Sequence, residues 1–433
     1  MKARAGVLLI SGAALAALSS FDVAALQSPA TAQKSAPLVI QVGVDLIQID
    51  ASVTDEKGRP VVDLKAEDFI LEVDGKKQAL TNAAYFGVVP GAGAAALGSP
   101  VSPQTGVGNT VVFIVDDLNM SFGSMYYARR GLRHFASEWG SSGTRAAIRT
   151  TSEVADSFTL FTTAEPFERK AAELRYNINS NQGLRSVRPM TREGSRVTAG
   201  MSPDVQAAFA ANTNPSVVSS NLQQRLFSLV STINTMRSLP GRKALVFVSE
   251  GFASLSTGAG PLGFDSPLTT LFTVDSDVRE AMRLITEVAN RASVVLYTVD
   301  PRGLFADFPS AEDDPDAAMI GSMMQTRWFD RVHTQGSLQE LAGATGGLAV
   351  INRNDLQGGF SDILRDQGAY YLIGFEPAEK TFVKSSGRAK FHKIKLKVNR
   401  PNVRVRTRAG FYGVTDEEVN SRAPMPLAAP ETY

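Results

Sequence analysis

"TVVFIVDDLNMSFGS", residues 110–124, carries the sequence signal that decides the fold. An apolar run enters two aspartates directly, and oxygen-bearing side chains then recur at every second position: Asp117, Asn119 and Ser121. A short apolar run that stops at acidic and turn-forming residues reads as a buried strand opening into a loop. Register singles out one aspartate. Two and four positions beyond Asp116 stand Leu118 and Met120, which cannot ligate, whereas from Asp117 the same steps reach Asn119 and Ser121.

Outward from this stretch, further short apolar runs at 145–150, 157–161, 243–249, 293–299 and 347–351 alternate with helical patterns at 123–139, 164–178, 216–237, 275–291 and 336–344. An amphipathic segment follows at 355–367. Buried strands alternating with helices predict a mostly parallel sheet covered on both faces. In such a sheet, ligands sit beyond the carboxyl ends of the strands, where the strand order reverses. The run "KALVFVSEGF" ends in Ser249-Glu250-Gly251, so Glu250 is expected to meet Asp117 there.

The segments on either side are β in character. In 38–87, Ile47, Ile49, Ala51 and Val53 alternate, and Asp74-Gly75 is a hairpin signal. Residues 88–108 form a Gly/Ala/Pro/Ser linker, and the β pattern returns over 369–414, with a hairpin expected at "NRPN". The two β segments are expected to pair into one sandwich holding the α/β domain, 109–368, as an insert. Residues 179–215 are expected as an exposed polar insertion, 303–333 as a flap carrying Met319, Met323 and Met324, and 415–433 as a disordered tail.

The 433-residue chain has 44 Lys plus Arg against 43 Asp plus Glu, so no global charge points to nucleic acid. Lys2 and Arg4 precede an apolar run ending near Leu18, and Ala30-Thr31-Ala32 offers a cleavage site, the layout of a signal peptide over 1–32. That run is shorter than the roughly 20 residues a membrane span needs. The expected location is therefore exported, periplasmic or secreted, with no transmembrane segment after cleavage. The absence of cysteine excludes thiol nucleophiles, disulfides, thiolate metal sites and a lipid-modified cysteine.

Other features carry bland readings. Lys393, Lys395 and Lys397, continued by Arg404, Arg406 and Arg408, form a basic stripe of period two, expected to be a solvated sheet face. The run "AEDDPD" lacks the spacing of a calcium loop, and His134, His333 and His392 are scattered. No nucleophile elbow or phosphate loop is present, so the chain is expected not to be an enzyme.

The stretches "DASVTDEKGRPVVDLKAEDFILEVDGKKQ", "VVFIVDDLNMSF", "LPGRKALVFVSEGF", "ANRASVVLYTVDPRGL", "LQELAGATGGLAVINRNDL", "YYLIGFEP" and "FHKIKLKVNRPNVRVRTRAGFYG" occur in this order. Together they resemble the von Willebrand factor type A (VWFA)-related proteins of the Acidobacteria type. The resemblance implies a Rossmann-like von Willebrand type A domain inserted in or flanked by β-sandwich segments. It also implies a metal-ion-dependent adhesion site of D-x-S-x-S form. Asn119 stands where that motif has its first serine, and Glu250 where it has aspartate. The implied ligands are Asp117, Asn119, Ser121 and Glu250, with a loop threonine (Thr191, Thr198 or Thr213) completing the set. Oxygen-only ligands suit Mg2+, Mn2+ or Ca2+. The function implied is adhesion or protein–protein interaction, an acidic residue of the protein partner completing the metal site. The alternatives are a metal-free envelope scaffold, in which Asn119 or Ser121 simply caps the following helix, and a metal-assisted hydrolase.

Overall fold

The computed structural model describes residues 46–87, 109–139, 144–153, 158–177, 180, 215–252, 268–304, 317–377 and 390–413. The signal-peptide pattern, the linker, the tail, the acidic run, Thr191, Thr198 and Thr213 lie outside the described residues. Among the described residues, no helix is long and apolar enough to cross a membrane.

The central element is a five-stranded parallel sheet built from β5 (Thr110–Val115), β6 (Arg145–Thr150), β7 (Lys243–Val248), β8 (Val294–Val299) and β9 (Ala349–Val350). Their order is β6-β5-β7-β8-β9. The chain places its second strand on one side of the first and all later strands on the other, so the order reverses between β5 and β7. β5, β7 and β8 are buried at every position, as strands covered on both faces must be.

Side-chain alternation along β5 feeds two cores. Val111, Phe113 and Val115 face α1 (Phe122–Trp139), α2 (Ala164–Glu173) and α6 (Leu356–Gln367). Val112 and Ile114 face α3 (Pro215–Arg237), α4 (Leu268–Ala292) and α5 (Ala317–Thr345). Phe113 lies among Phe135, Phe167 and Phe360, with ring centroids 4.7, 5.6 and 5.9 Å away. Burying one such side chain contributes about 1.5–3 kcal/mol. Close packing of α1 on α6 depends on Gly131, where a Cβ would lie 2.3 Å from the Phe360 ring.

Two expectations change here. Among the described residues of the apolar run expected at 157–161, which are 158–161, no sheet strand forms: Phe161 bridges Ala146, antiparallel, at the β6 edge. The expected flap over 303–333 is in part regular, because α5 runs unbroken from Ala317 through the methionine positions to Thr345.

The remaining strands form two four-stranded antiparallel sheets. One has the order β12-β1-β10-β4 and the other β13-β11-β2-β3. Their ranges are β1 (Ile47–Asp55), β2 (Phe69–Val73), β3 (Lys76–Gln78), β4 (Leu80–Phe86), β10 (Tyr370–Phe375), β11 (Phe391–Val398), β12 (Val403–Thr407) and β13 (Gly410–Tyr412). Strands from before and after the parallel sheet thus interleave. β1 pairs with both β10 and β12, and β2 pairs with β11. Ile49, Ala51, Leu71, Ile373, Phe375, Leu396 and Phe411 fill the single core between the two sheets. At the β2–β3 turn, Asp74 and Gly75 both have positive φ, 49° and 78°, the pair a tight hairpin demands.

The "NRPN" turn does not make a hairpin. β11 bonds to β2 and β13, while β12 bonds to β1 in the facing sheet, so the turn carries the chain across the core. This splits the basic stripe. Lys393, Lys395 and Lys397 are exposed between buried neighbours, as a solvated face should be. Arg406, opposite Ser52 in the β1–β12 pairing, and Arg408 turn instead toward the α/β region. There Asp366 of α6 receives Ser52 Oγ at 2.6 Å and is also bonded by Arg406 and Tyr297, with Arg242 at 3.7 Å. Burial alone would raise the Asp366 pKa; the two arginines and two hydroxyls outweigh it and hold the carboxyl below its ordinary value.

Candidate functional site

The loops after β5, β6 and β7 meet where the strand order reverses. The Asp116 N–H donates to Val248 O at 2.9 Å, and Thr151 N–H donates to Val115 O at 3.0 Å. Parallel register therefore sets Asp116 beside Thr151 on one side and Ser249 on the other.

Asp116 is fully buried and is the floor of the site. Arg225, reaching in from α3, is itself buried and pairs with it at 2.7 Å through Nη2 and 2.9 Å through Nε. Ser249 Oγ (2.5 Å) and Thr151 Oγ1 (3.0 Å) donate to the same carboxylate. The guanidinium also donates to Gly251 O at 2.8 Å and lies 4.4 Å from the centre of the Phe252 ring. A buried charge pair is tolerated only when its remaining donors and acceptors are satisfied, and here they are. Gly251 has φ +90°, and a Cβ there would sit 2.2 Å from Thr334 O, so the Ser249-Glu250-Gly251 turn needs its glycine.

Asp117 differs in kind. It accepts from Ser152 N–H (3.0 Å) and Ser152 Oγ (2.5 Å) and shares the one Thr151 hydroxyl proton (3.0 Å) with Asp116, all neutral donors. Among the described residues no cation pairs with it. Burial pushes its pKa up; the Ser152 and Thr151 bonds oppose this, and the neighbouring Asp116 charge adds to it. Glu250 is 3% exposed, and its Oε1 accepts from the Ser121 N–H at 2.8 Å. It too has no cation partner among the described residues.

Asn119 and Ser121 hold the loop together. Asn119 Nδ2 donates to Gly251 O at 2.9 Å, tying the β5 loop to the β7 loop. Ser121 precedes α1, and its Oγ accepts from the Ser124 N–H at 3.3 Å, which is N-capping geometry. Of the four expected ligands, Glu250 meets Ser121 and Asn119 meets the Gly251 turn, whereas the bonds of Asp117 run to the loop after β6. Thr151, Ser152, Ser249 and Arg225 belong to the same cluster but were not singled out from sequence. The signal for the first two was available: once β5 and β6 are parallel neighbours, whatever follows Thr150 must lie beside Asp116.

A further acid missed in the sequence, Asp300, ends β8 in the same manner. It is neutralised by Arg302 at 2.8 Å and bonded by Gln335 at 2.9 Å. The charges of the loops after β5 and β7 do not balance so well: Arg225 pairs with Asp116 alone, and Asp117 and Glu250 add two carboxylates with no cation partner among the described residues. Among the described residues, no three acidic or histidine side chains cluster as a metal site. An ion held here would draw on the Asp117 and Glu250 carboxylates, completed by hydroxyl or amide oxygens. That donor chemistry fits a hard divalent cation.

No family model and no curated protein matches the chain. Among solved structures it is similar to an aerotolerance-related membrane protein from Bacteroides fragilis NCTC 9343 carrying multiple mutations to serines. The identity is 8% and the TM-score 0.27, covering 60% of this chain and 98% of that one. It is also similar to a point mutant of the PilB minor pilin from Streptococcus sanguinis, at 12% identity and TM-score 0.24, covering 62% of this chain and 63% of that one. With TM-scores this low, neither likeness bears on what the site does.

Proposed function

We propose that this chain is an exported, non-enzymatic interaction module of the von Willebrand type A kind. It binds a protein partner at the carboxyl end of its parallel sheet with the help of a divalent cation. The observation that carries this reading is the excess of two buried negative charges at Asp117 and Glu250, one divalent cation's worth. Asp117 and Glu250 would hold the ion, with the hydroxyls of Ser121 and Ser152 as nearby oxygens, and Asn119 would position the Gly251 loop. The cation would supply a positive point to which an acidic side chain of a partner can bind. Strand order and the D-x-N-x-S loop support the family reading. Phe122 and Tyr126, 70% and 55% exposed at the start of α1, supply apolar surface beside the site; aromatic side chains are enriched at such interfaces.

A second reading has its own support. Ser121 already caps α1 and Arg225 already neutralises Asp116, so the cluster can serve as a metal-free joint between loops. Cation-dependent stability separates the two. A ligand that binds only the folded state at one hundred times its Kd stabilises by about 2.7 kcal/mol, so millimolar Mg2+ or Mn2+ should raise the melting temperature. Asp117→Asn and Glu250→Gln should each remove that shift. Asp117→Asn should also leave the cation-free protein at least as stable as wild type, because it deletes a buried unpaired charge. No shift in the wild-type protein rejects the metal-assisted reading and leaves the metal-free joint.

A further inference from the structure

At the opposite end of the parallel sheet, the amino-terminal ends of its strands open onto a cleft of about 900 Å3. Its other wall is the outer face of the β12-β1-β10-β4 sheet, with Gln48, Asp50, Tyr370, Leu372 and Arg408. The volume lies within the range of small-molecule sites. Three cations line it, Arg242, Lys243 and Arg408, against a single carboxylate among the lining residues, Asp50. The lining carries two positive charges in excess.

The three cations are not equivalent. Arg242 is engaged: it donates to Asp366 O at 2.6 Å, lies 3.6 Å from Asp50 and covers the Tyr370 ring at 4.3 Å. Lys243 donates to Arg237 O at 3.2 Å, and Arg408 donates to Asn290 O at 3.2 Å and to Gln48 O. Among the described residues, neither is within ion-pair distance of a carboxylate. Their partners are backbone carbonyls, which fix the side chains in place without cancelling their charge. Among the described residues, three buried donors of the lining have no acceptor, Arg242 Nε, Asn290 Nδ2 and Arg408 Nε, and Asn290 is 6% exposed. Burial lowers the pKa of Lys243 and of Arg408, with Asp50 opposing it in each case, so both cations lack adequate compensation. Residues 88–108, which join the lining residues Gly87 and Asn109 through the linker, contain no acidic side chain to supply it.

We infer that this cleft binds a small organic anion, its carboxylate or phosphate held by Lys243 and Arg408 and its apolar body against Phe86, Leu239 and Leu372. The cations, held by backbone carbonyls and facing no carboxylate at ion-pair distance among the described residues, select the charge of the ligand. The mixed apolar wall excludes inorganic ions as the best-fitting class.

The test uses the full chain and anilinonaphthalene sulfonate, an aromatic body bearing one negative charge. Saturable fluorescence enhancement at one site is expected, weakened about tenfold, a change of about 1.4 kcal/mol, in Lys243→Gln and in Arg408→Gln. Lys397→Gln, which removes a cation paired with Glu72 at 3.2 Å on the far sheet, should bind as wild type does. Displacement by octanoate, by phenyl phosphate or by both supports the site and identifies the headgroup. Arg408 also tethers β12, so if its variant melts early, Lys243→Gln decides alone. Absence of saturable binding to the wild-type protein, or wild-type affinity in Lys243→Gln, overturns the inference.

Discussion

The two ends of the parallel sheet carry opposite charge for one shared reason. Each helix that follows a strand runs back antiparallel to it, so helix N-termini gather at the carboxyl ends of the strands and helix C-termini at the amino ends. The macrodipole and the unpaired terminal groups then favour acids at one end and bases at the other. At the carboxyl end, Asp116, Asp117, Glu250 and Asp300 follow the strands, and Ser121 caps α1. At the amino end, Lys243 donates to Arg237 O, the last carbonyl of α3, and Asn109 donates to Gln367 O, the last of α6. What differs is how far each end is neutralised. Asp116 and Asp300 have arginine partners, whereas Asp117, Glu250, Lys243 and Arg408 have no opposite charge at ion-pair distance among the described residues. The candidate ligand sites lie where that compensation stops.

The sharpest way to break this contrast is to remove a compensated charge. Arg225→Met leaves Asp116 buried and unpaired, and removing one partner of such a pair costs about 3–5 kcal/mol. Chemical denaturation should show that loss. A loss below about 1 kcal/mol, the scale of an exposed pair, would mean the Asp116 pair is not the floor it is taken to be.

Acid titration gives the next largest effect, with opposite signs at two carboxylates. Asp366 has its pKa held below the ordinary 3.8, so its stabilisation is present above 3.8 and is lost as pH falls through the lower folded value. Asp117 has its pKa raised, so the folded state takes up a proton first. Its cost is full above the raised value and is relieved as pH falls toward 3.8. Melting temperature against pH in cation-free buffer should therefore separate the variants. Asp117→Asn should abolish a gain in stability above 3.8, and the difference between wild type and Asp366→Asn should shrink below 3.8.

The smallest effect sharpens the comparison at one hydrogen bond. Ser121→Ala removes the α1 cap and should cost about 1 kcal/mol with or without added cation. If the loss grows when Mg2+ is present, the hydroxyl serves the ion as well as the helix.

Much of this architecture was legible locally. The alternation of buried strands with helices followed from period and punctuation, and the Asp117-Asn119-Ser121 loop from spacing alone. Errors came where a local pattern has two tertiary solutions. "NRPN" signals a reversal of direction, but not whether the next strand stays in its own sheet or crosses to the facing one. The run at 157–161 is apolar enough for a strand, yet Phe161 lies at a sheet edge where one bridge suffices. The Met-bearing stretch after Ala317 was hidden because its apolar positions do not follow one helical face.

The sequence by itself determined where strands end in acids and which of those acids share a register with further oxygen donors, because both are matters of near neighbours. Only the tertiary structure decided which acids are neutralised. Arg225 lies 109 residues from Asp116, and Thr151 and Ser152 reach Asp117 only because β6 lies beside β5. Charge compensation in a low-dielectric interior depends on distances of a few ångströms between groups far apart in the chain, and those distances are set by the packing of sheet and helices.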